Sequence, residues 1–130
     1  MNKKILIVED ERQTALVLEA RLKAAGYETI VAYDGEDGWR QAQAQAPDLV
    51  ILDIEMPVIN GYGVCELIKT TPQTRNIPVL LLTSRDTVGD IDTGFNAGAD
   101  SFLAKPYSWE RLSHKVTTLL YPFGTDLDGD

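Results

Sequence analysis

The sequence predicts an α/β fold, a doubly wound parallel sheet of five strands flanked by five helices. Short, unbroken apolar runs recur along the chain, which is typical of strands buried on both faces of a sheet. Helical segments separate these runs, and an alternation of strand and helix predicts a parallel sheet with right-handed crossovers. Four of the runs also lead directly into residues that can carry chemistry. In chain order these are Glu9-Asp10, Asp53, Thr83 and Lys105.

The predicted elements follow one another as far as about Leu120. The strands are 5–8, 27–32, 49–53, 79–82 and 100–105, and the helices are 11–25, 36–46, 62–70, 88–97 and 108–120. Gly26 and Gly98 are typical stop signals, and Ser108 is a good N-cap. The second strand is the least uniformly apolar, which predicts a place near the edge of the sheet.

Length, charge and cysteine content limit the classes of protein. We expect residues 1–121 of the 130 to form one domain, and 122–130 to be a C-terminal tail or a truncated linker. The net charge of −8 argues against direct binding of nucleic acid, which needs a basic surface. No stretch approaches membrane-spanning length. Cys65 is the single cysteine, which excludes an intramolecular disulfide and favours a cytoplasmic setting.

The residues at the strand ends predict one shared site, because ligands of open parallel sheets bind outside the carboxyl ends of the strands. Glu9, Asp10 and Asp53 would crowd three carboxylates there, and like charges at close range call for a cation. With oxygen ligands only, Mg²⁺ is the best candidate. Thr83 adds a hydroxyl group and Lys105 an ammonium group. Such a site can neutralise a phosphoryl group while a carboxylate attacks it.

Five short motifs occur in a fixed order along the chain. They are Ile7-Val8-Glu9-Asp10, Leu52-Asp53-Ile54-Glu55-Met56-Pro57 with Gly61, Leu82-Thr83-Ser84, Gly98-Ala99-Asp100 and Lys105-Pro106-Tyr107. At this spacing the chain resembles the receiver domains of two-component response regulators, from Lys4 to about Leu120. The resemblance implies the flavodoxin-like receiver fold with strand order 2-1-3-4-5. It also implies a signalling switch that catalyses only its own phosphorylation and dephosphorylation.

The resemblance assigns a role to each residue of the site. Asp53 is the phosphoacceptor, which takes the phosphoryl group from the phosphohistidine of a histidine kinase. Asp10 and Asp53 would hold Mg²⁺ with the main-chain carbonyl of Glu55, and Glu9 would contribute through water. Thr83 and Lys105 would contact the phosphoryl oxygens.

The resemblance also implies a conformational switch. Thr83 would move toward the phosphate, and Phe102, at the position of the switch aromatic residue, would rotate inward. The surface of the fourth helix, the fifth strand and the fifth helix would change shape as a result. Because Phe lacks the hydroxyl of Tyr, we expect a softer switch. The peptide bond before Pro106 would be cis.

Two residues near Asp53 are expected to influence how long the phosphate lasts. Glu55 and Arg85 could pair across the mouth of the site and hinder an attacking water. The small side chain of Ser84 predicts an open path to Asp53.

The expected partners follow from the same resemblance. They are a histidine kinase or phosphotransfer protein and a downstream effector protein or fused output domain, without direct contact to nucleic acid or membrane. We expect a monomer or a weak phosphorylation-dependent dimer. Receivers of winged-helix transcription factors have an acidic dimer residue where Arg111 stands, so their dimer is not expected here.

Several alternatives stay open. A pseudo-receiver that acts as a phosphorylation-independent scaffold would not need the complete acidic site. A phosphatase using Asp53-Ile54-Glu55 would need a cap and more chain. A flavodoxin-like cofactor binder would need a Ser-, Thr- or Gly-rich loop where Glu9-Asp10-Glu11 stands. We interpret His114 as a surface residue rather than a phosphate donor or metal ligand, and Cys65 as a core residue.

Overall fold

Five parallel strands form the centre of the molecule, in the order β2-β1-β3-β4-β5. A computed structural model describes residues 2–56, 59–84, 93 and 95–123. The strands are β1 (Lys4–Val8), β2 (Glu28–Ala32), β3 (Leu49–Asp53), β4 (Val79–Thr83) and β5 (Ser101–Ala104). The helices with both ends among the described residues are α1 (Arg12–Ala24), α2 (Gly35–Gln45), α3 (Gly61–Thr70) and the C-terminal helix (Trp109–Leu120).

This architecture confirms the predicted doubly wound sheet and its strand order. The helix predicted at 88–97 falls mostly outside the described residues, although Thr93, Phe95 and Asn96 are helical. Most of the predicted tail, 124–130, also lies outside them. In the described part of the chain, no helix has the length and apolar character needed to cross a membrane.

The apolar runs form strands because both faces of the sheet are covered. Every residue of β3 and β4 is buried. Side chains alternate between the two faces of a strand, so each run needs an apolar residue at every position. One face packs against α2 and α3, and the other against α1 and the C-terminal helix. β2 lies at an edge of the sheet, as predicted, and its first residue, Glu28, is exposed.

Each of the four helices whose start lies among the described residues begins with a side chain that accepts a hydrogen bond from a main-chain N–H group of the first turn. The N-cap residues are Glu11, Asp34, Asn60 and Ser108. Ser108 is the cap that the sequence predicts. Glu11 was expected inside the first helix, but it precedes the helix and accepts from the N–H of Thr14 at 2.8 Å. Such caps satisfy N–H groups that have no partner within the helix.

Lys69 connects α3 to the amino ends of β4 and β5 through hydrogen bonds. Its Nζ atom donates to the carbonyl of Ile77 at 2.9 Å and to Oδ2 of Asp100 at 3.0 Å. The same Asp100 oxygen accepts from the N–H of Val79 at 2.8 Å. Gly98 has a φ of +97°, and a Cβ atom there would lie 2.8 Å from Cβ of Lys69. Glycine therefore suits both the backbone and the close approach at this position.

Cys65 and His114 lie where the sequence predicts them. Cys65 is fully buried on α3, and burial raises the pKa of its thiol to about 12. The thiol therefore stays protonated at neutral pH. His114 is exposed on the C-terminal helix.

Candidate functional site

The carboxyl ends of β1, β3 and β5 bring acidic and basic side chains to one edge of the sheet. Lys105 Nζ lies 3.1 Å from Oδ1 of Asp53 and 3.9 Å from Oε1 of Glu9. Glu9, Asp10 and Asp53 each offer a carboxylate oxygen, and these three oxygens lie within 4.8 Å of one another. This geometry agrees with the expectation that residues far apart in the sequence meet in a single site.

Asp53 is held in a buried position at the end of β3, with only 3% of the residue exposed. Besides the bond from Lys105, its Oδ1 atom accepts from the N–H of Glu55 at 3.2 Å. The first residue of α3, Gly61, packs directly against the main chain here. A Cβ atom on Gly61 would lie 2.5 Å from the carbonyl oxygen of Asp53 and 2.6 Å from Cα of Ile54. The helix therefore fixes the main chain that carries the carboxylate.

Thr83 ends the neighbouring strand at the same edge. Thr83 is buried, and its main-chain carbonyl accepts a hydrogen bond from the N–H of Lys105 at 2.6 Å. In the register of β3 and β4, Asp53 is opposite Leu82, one residue before Thr83. Thr83 therefore lies one residue further along the sheet than Asp53, and its main chain is hydrogen-bonded to that of Lys105.

Glu9 is buried, and the described residues give its carboxylate few hydrogen-bond partners. Its Oε2 atom accepts from the N–H of Glu11 at 3.0 Å, but Oε1 has no hydrogen-bond partner among the described residues. Burial raises the pKa of Glu9 to about 7, and the charge of Asp53 adds to this effect. The N–H of Glu11 and the charge of Lys105 only partly oppose the rise. A buried carboxylate with an unsatisfied oxygen gains stability from a cation.

These residues fit a hard divalent cation. All three acidic side chains offer oxygen ligands, which Mg²⁺ prefers, and one oxygen of Glu9 has no partner among the described residues. Asp10 is exposed at the rim of the group. Its position leaves one side of the site open to water, and Mg²⁺ in proteins keeps several bound waters.

Several carboxylates near Lys105 affect the pKa of its ammonium group. Burial alone would lower the pKa of its ammonium, but Asp53, Glu9 and Glu55 together raise that pKa above its usual value. The side chain therefore stays positively charged at neutral pH. The peptide bond between Lys105 and Pro106 is cis, as the resemblance implied.

Ser84 and Glu55 contact each other at the mouth of the site. The Oγ atom of Ser84 donates a hydrogen bond to Oε2 of Glu55, a contact that the sequence does not predict. Both residues are exposed. Arg85, the expected partner of Glu55, lies outside the described residues.

Phe102 lies on the edge strand β5 and is half-buried. Its ring packs edge-to-face against Phe95, with the centroids 5.1 Å apart and the ring planes at 64°. Phe95 is 52% exposed. Sequence reasoning did not identify Phe95, because its contact with Phe102 depends on how the two segments pack against each other.

A groove of about 370 Å³ lies between α1 and the C-terminal helix. Its lining residues include Thr14, Val17, Tyr107 and Trp109. The guanidinium group of Arg21 lies 5.7 Å from the centre of the Trp109 ring. Sequence reasoning missed this surface, because it depends on how two helices far apart in the chain pack side by side.

Comparisons with known proteins identify the family of the domain. Residues 5–117 match the family model described as "Response regulator receiver domain". The chain is 41% identical over 118 residues to the "Probable transcriptional regulator ycf27" of Cyanophora paradoxa, covering 91% of this chain and 48% of that protein. It is 37% identical over 120 residues to the "Alkaline phosphatase synthesis transcriptional regulatory protein PhoP" of Bacillus subtilis, covering 92% of this chain and 49% of that protein.

The chain thus spans about half the length of these curated relatives. Among solved structures, it is similar to the receiver domain of the sensor histidine kinase PA1611 from Pseudomonas aeruginosa PAO1. The two share 30% identity with a TM-score of 0.85, and the match covers 92% of this chain and 98% of the other. That structure has a magnesium ion coordinated in its active-site cleft.

Proposed function

Since the chain belongs to the response regulator receiver domain family of two-component systems, we propose that it is a switch activated by phosphorylation of Asp53. The phosphoryl group comes from a phosphohistidine on a histidine kinase or a phosphotransfer protein. One observation carries this proposal: the buried Asp53 carboxylate lies 3.1 Å from the Lys105 ammonium and beside two further carboxylates. A single carboxylate at a strand end has many structural uses, but this combination fits phosphoryl transfer.

In the proposed reaction, a carboxylate oxygen of Asp53 attacks phosphorus and the bond from phosphorus to the histidine nitrogen breaks. Lys105 is charged and lies within reach of a group attached to Asp53, so it stabilises negative charge on the phosphoryl oxygens. The hydroxyl of Thr83 supplies a further hydrogen bond. Asp10 and Asp53, with the main-chain carbonyl of Glu55 and with Glu9 through water, would hold Mg²⁺, which when bound neutralises phosphoryl charge.

The switch follows from attraction between the new phosphoryl dianion and Thr83. As Thr83 moves, the half-buried ring of Phe102 turns inward, and the surface of the fourth helix, β5 and the C-terminal helix changes. Moving such an equilibrium from mostly inactive to mostly active takes about 5.5 kcal/mol. Two or three hydrogen bonds to a charged group, at roughly 1.5–3 kcal/mol each, are sufficient.

The phosphodonor docks at the groove between α1 and the C-terminal helix. Tyr107 lines the groove two residues after Lys105, and Thr14 lines it close behind the acidic residues that follow β1. A partner seated there therefore lies next to the phosphoryl site. Val17 is 59% exposed and gives the partner an apolar surface.

The wider assignments extend the same proposal. Residues 1–121 are the receiver domain, and 122–130 are a C-terminal tail or a linker. The protein works in the cytoplasm as a monomer or a weak phosphorylation-dependent dimer, without direct contact to nucleic acid, and catalyses only its own phosphorylation and dephosphorylation. Glu55 and Arg85 modulate the lifetime of the phosphate.

The test is phosphorylation of the purified chain by phosphoramidate with Mg²⁺, followed by intact-mass spectrometry. We expect one phosphoryl group on the wild type and none on Asp53→Asn. Asp37→Asn, on α2, is the matched control and should be phosphorylated like the wild type. If the folded wild type stays unmodified at saturating Mg²⁺ and donor, the proposal is wrong, and the scaffold function of a pseudo-receiver is favoured.

A further inference from the structure

We propose that Tyr33 is a positioning residue that keeps the guanidinium group of Arg12 out of the proposed magnesium site. The guanidinium carbon of Arg12 lies 4.0 Å from the centre of the Tyr33 ring. We call this contact the Arg12–Tyr33 stack. The inference rests on the magnesium binding that is part of the proposed function. We call the three side chains of that site, Glu9, Asp10 and Asp53, the acidic group.

Tyr33 lies beside the acidic group because it follows the strand next to β1. In the parallel pairing of β1 and β2, Val8 is opposite Ala32, and the N–H of Glu9 donates to the carbonyl of Ala32 at 3.0 Å. Tyr33 comes directly after Ala32, so it is level with Glu9 at the carboxyl edge of the sheet. Its half-buried ring contacts Arg12, the first residue of α1.

Arg12 is also close to the acidic group along the chain. The N–H of Glu11 donates to Oε2 of Glu9 at 3.0 Å, so the chain after β1 folds back onto the Glu9 carboxylate. Arg12 follows Glu11 directly, and consecutive Cα atoms are about 3.8 Å apart. The long side chain of Arg12 can therefore reach the carboxylates as well as the Tyr33 ring.

The acidic group offers Arg12 a second partner. A guanidinium group binds a carboxylate through two parallel hydrogen bonds. Oε1 of Glu9 has no hydrogen-bond partner among the described residues, and Asp10 is exposed at the rim. Arg12 nevertheless forms no ion pair with a carboxylate in the described part of the chain, and stacks on Tyr33 instead. Inside the acidic group it would occupy the oxygens that a divalent cation needs and would repel that cation.

The size of the effect follows from the fraction of time that Arg12 spends outside the acidic group. If Mg²⁺ binds only during that time, the apparent dissociation constant equals the intrinsic constant divided by this fraction. An exposed contact between a cation and an aromatic ring shifts such an equilibrium about two- to fivefold. Without the stack, the acidic group is the remaining partner of the guanidinium. The apparent dissociation constant of Mg²⁺ should therefore rise by about the same factor.

The experiment measures the dissociation constant of Mg²⁺ by isothermal titration calorimetry. The ionic strength is held constant, because salt screens exposed charges. Tyr33→Leu keeps an apolar side chain without an aromatic face and should bind Mg²⁺ about two- to fivefold more weakly than the wild type. Tyr33→Phe keeps the aromatic face and should bind Mg²⁺ like the wild type. Circular dichroism checks that each variant is folded.

A double-mutant cycle separates the stack from a general structural effect of Tyr33. In the Arg12→Gln chain, Tyr33→Leu should leave the affinity for Mg²⁺ unchanged, because no guanidinium group remains to be held. Tyr121→Ala is the matched control. Lys3 Nζ lies 5.5 Å from the centre of the Tyr121 ring, and Lys3 precedes β1, so this similar contact lies at the opposite edge of the sheet. The control variant should bind Mg²⁺ like the wild type.

The outcomes separate this inference from the proposed function. If the wild type binds Mg²⁺ and folded Tyr33→Leu binds it equally well, the stack does not protect the site and the inference is wrong. Equal weakening by Tyr33→Leu with and without Arg12 would also overturn it, because Tyr33 would then act without the guanidinium. If the folded wild type binds no Mg²⁺, the metal-dependent step of the proposed function fails and this inference fails with it.

Discussion

Glu9→Gln should stabilise the metal-free protein at pH 8 and weaken the dependence of its stability on pH. Glu9 is 3% exposed, and burial raises the pKa of its carboxyl from 4.5 to about 7 in the folded protein. Below pH 4.5 both the folded and the unfolded chain hold this proton, so the contribution of Glu9 to stability is fully present. As the pH rises toward 7, the unfolded chain releases the proton first. The folded state is then increasingly disfavoured.

The size of this loss follows from the pKa change. At about 1.36 kcal/mol per pKa unit, the rise from 4.5 to about 7 corresponds to roughly 3 kcal/mol lost between pH 5 and pH 8. This value is an upper limit, because water that enters the site reduces the penalty. A glutamine at this position keeps an oxygen that accepts from the N–H of Glu11 but has no proton to lose. The variant should therefore lose less stability over the same range of pH.

The assay is urea denaturation at pH 5 and pH 8 in the presence of EDTA, followed by tryptophan fluorescence. The comparison is the change in the free energy of unfolding between the two pH values, for the wild type and for Glu9→Gln. Glu28→Gln, at the exposed start of β2, is the matched control and should follow the wild type. At pH 8, Mg²⁺ should stabilise the wild type more than Glu9→Gln. Equal pH dependence in the wild type and Glu9→Gln would refute the reasoning.

Three further substitutions test other parts of the structure. Gly61→Ala forces a Cβ atom against the main chain at Asp53. The variant should lose about 1–3 kcal/mol of unfolding free energy and be phosphorylated more slowly by phosphoramidate. An unchanged midpoint of urea denaturation would contradict the close packing. Phe95→Ala removes an aromatic contact with Phe102 that is worth about 0.5–1.5 kcal/mol. Relaxation-dispersion NMR should then show increased motion of the Phe102 ring. Unchanged ring motion would show that the contact does not restrain Phe102. Val17→Asp should slow transfer from a phosphohistidine protein but not from phosphoramidate, and equal slowing of both would argue against docking at the groove.

The strands could be predicted closely because one physical requirement determines them. A strand covered on both faces needs apolar residues at consecutive positions, so the run from Leu49 to Leu52 shows both the element and its burial. The ends of these runs also predict which chemical groups share an edge, since parallel strands place their carboxyl ends together. The same rule predicts that Asp53 and Lys105 lie near each other.

The contacts at the mouth could not be predicted in the same way. The bond between Ser84 and Glu55 depends on the conformation of two loops, and residue type alone suggested only that Ser84 is small. The edge-to-face packing of Phe95 on Phe102 likewise depends on the position of a helix relative to an edge strand. Such contacts arise from tertiary packing, and no periodic pattern of apolar and polar residues in the sequence predicts them.

The hydrogen bonds of Lys69 and Asp100 restrain one end of β4 and β5. They connect the residues that precede these strands to α3, at the edge of the sheet opposite to Thr83. If Asp53 is phosphorylated as proposed and Thr83 moves, we therefore expect the displacement to be smallest at the amino ends of β4 and β5 and largest at their carboxyl ends.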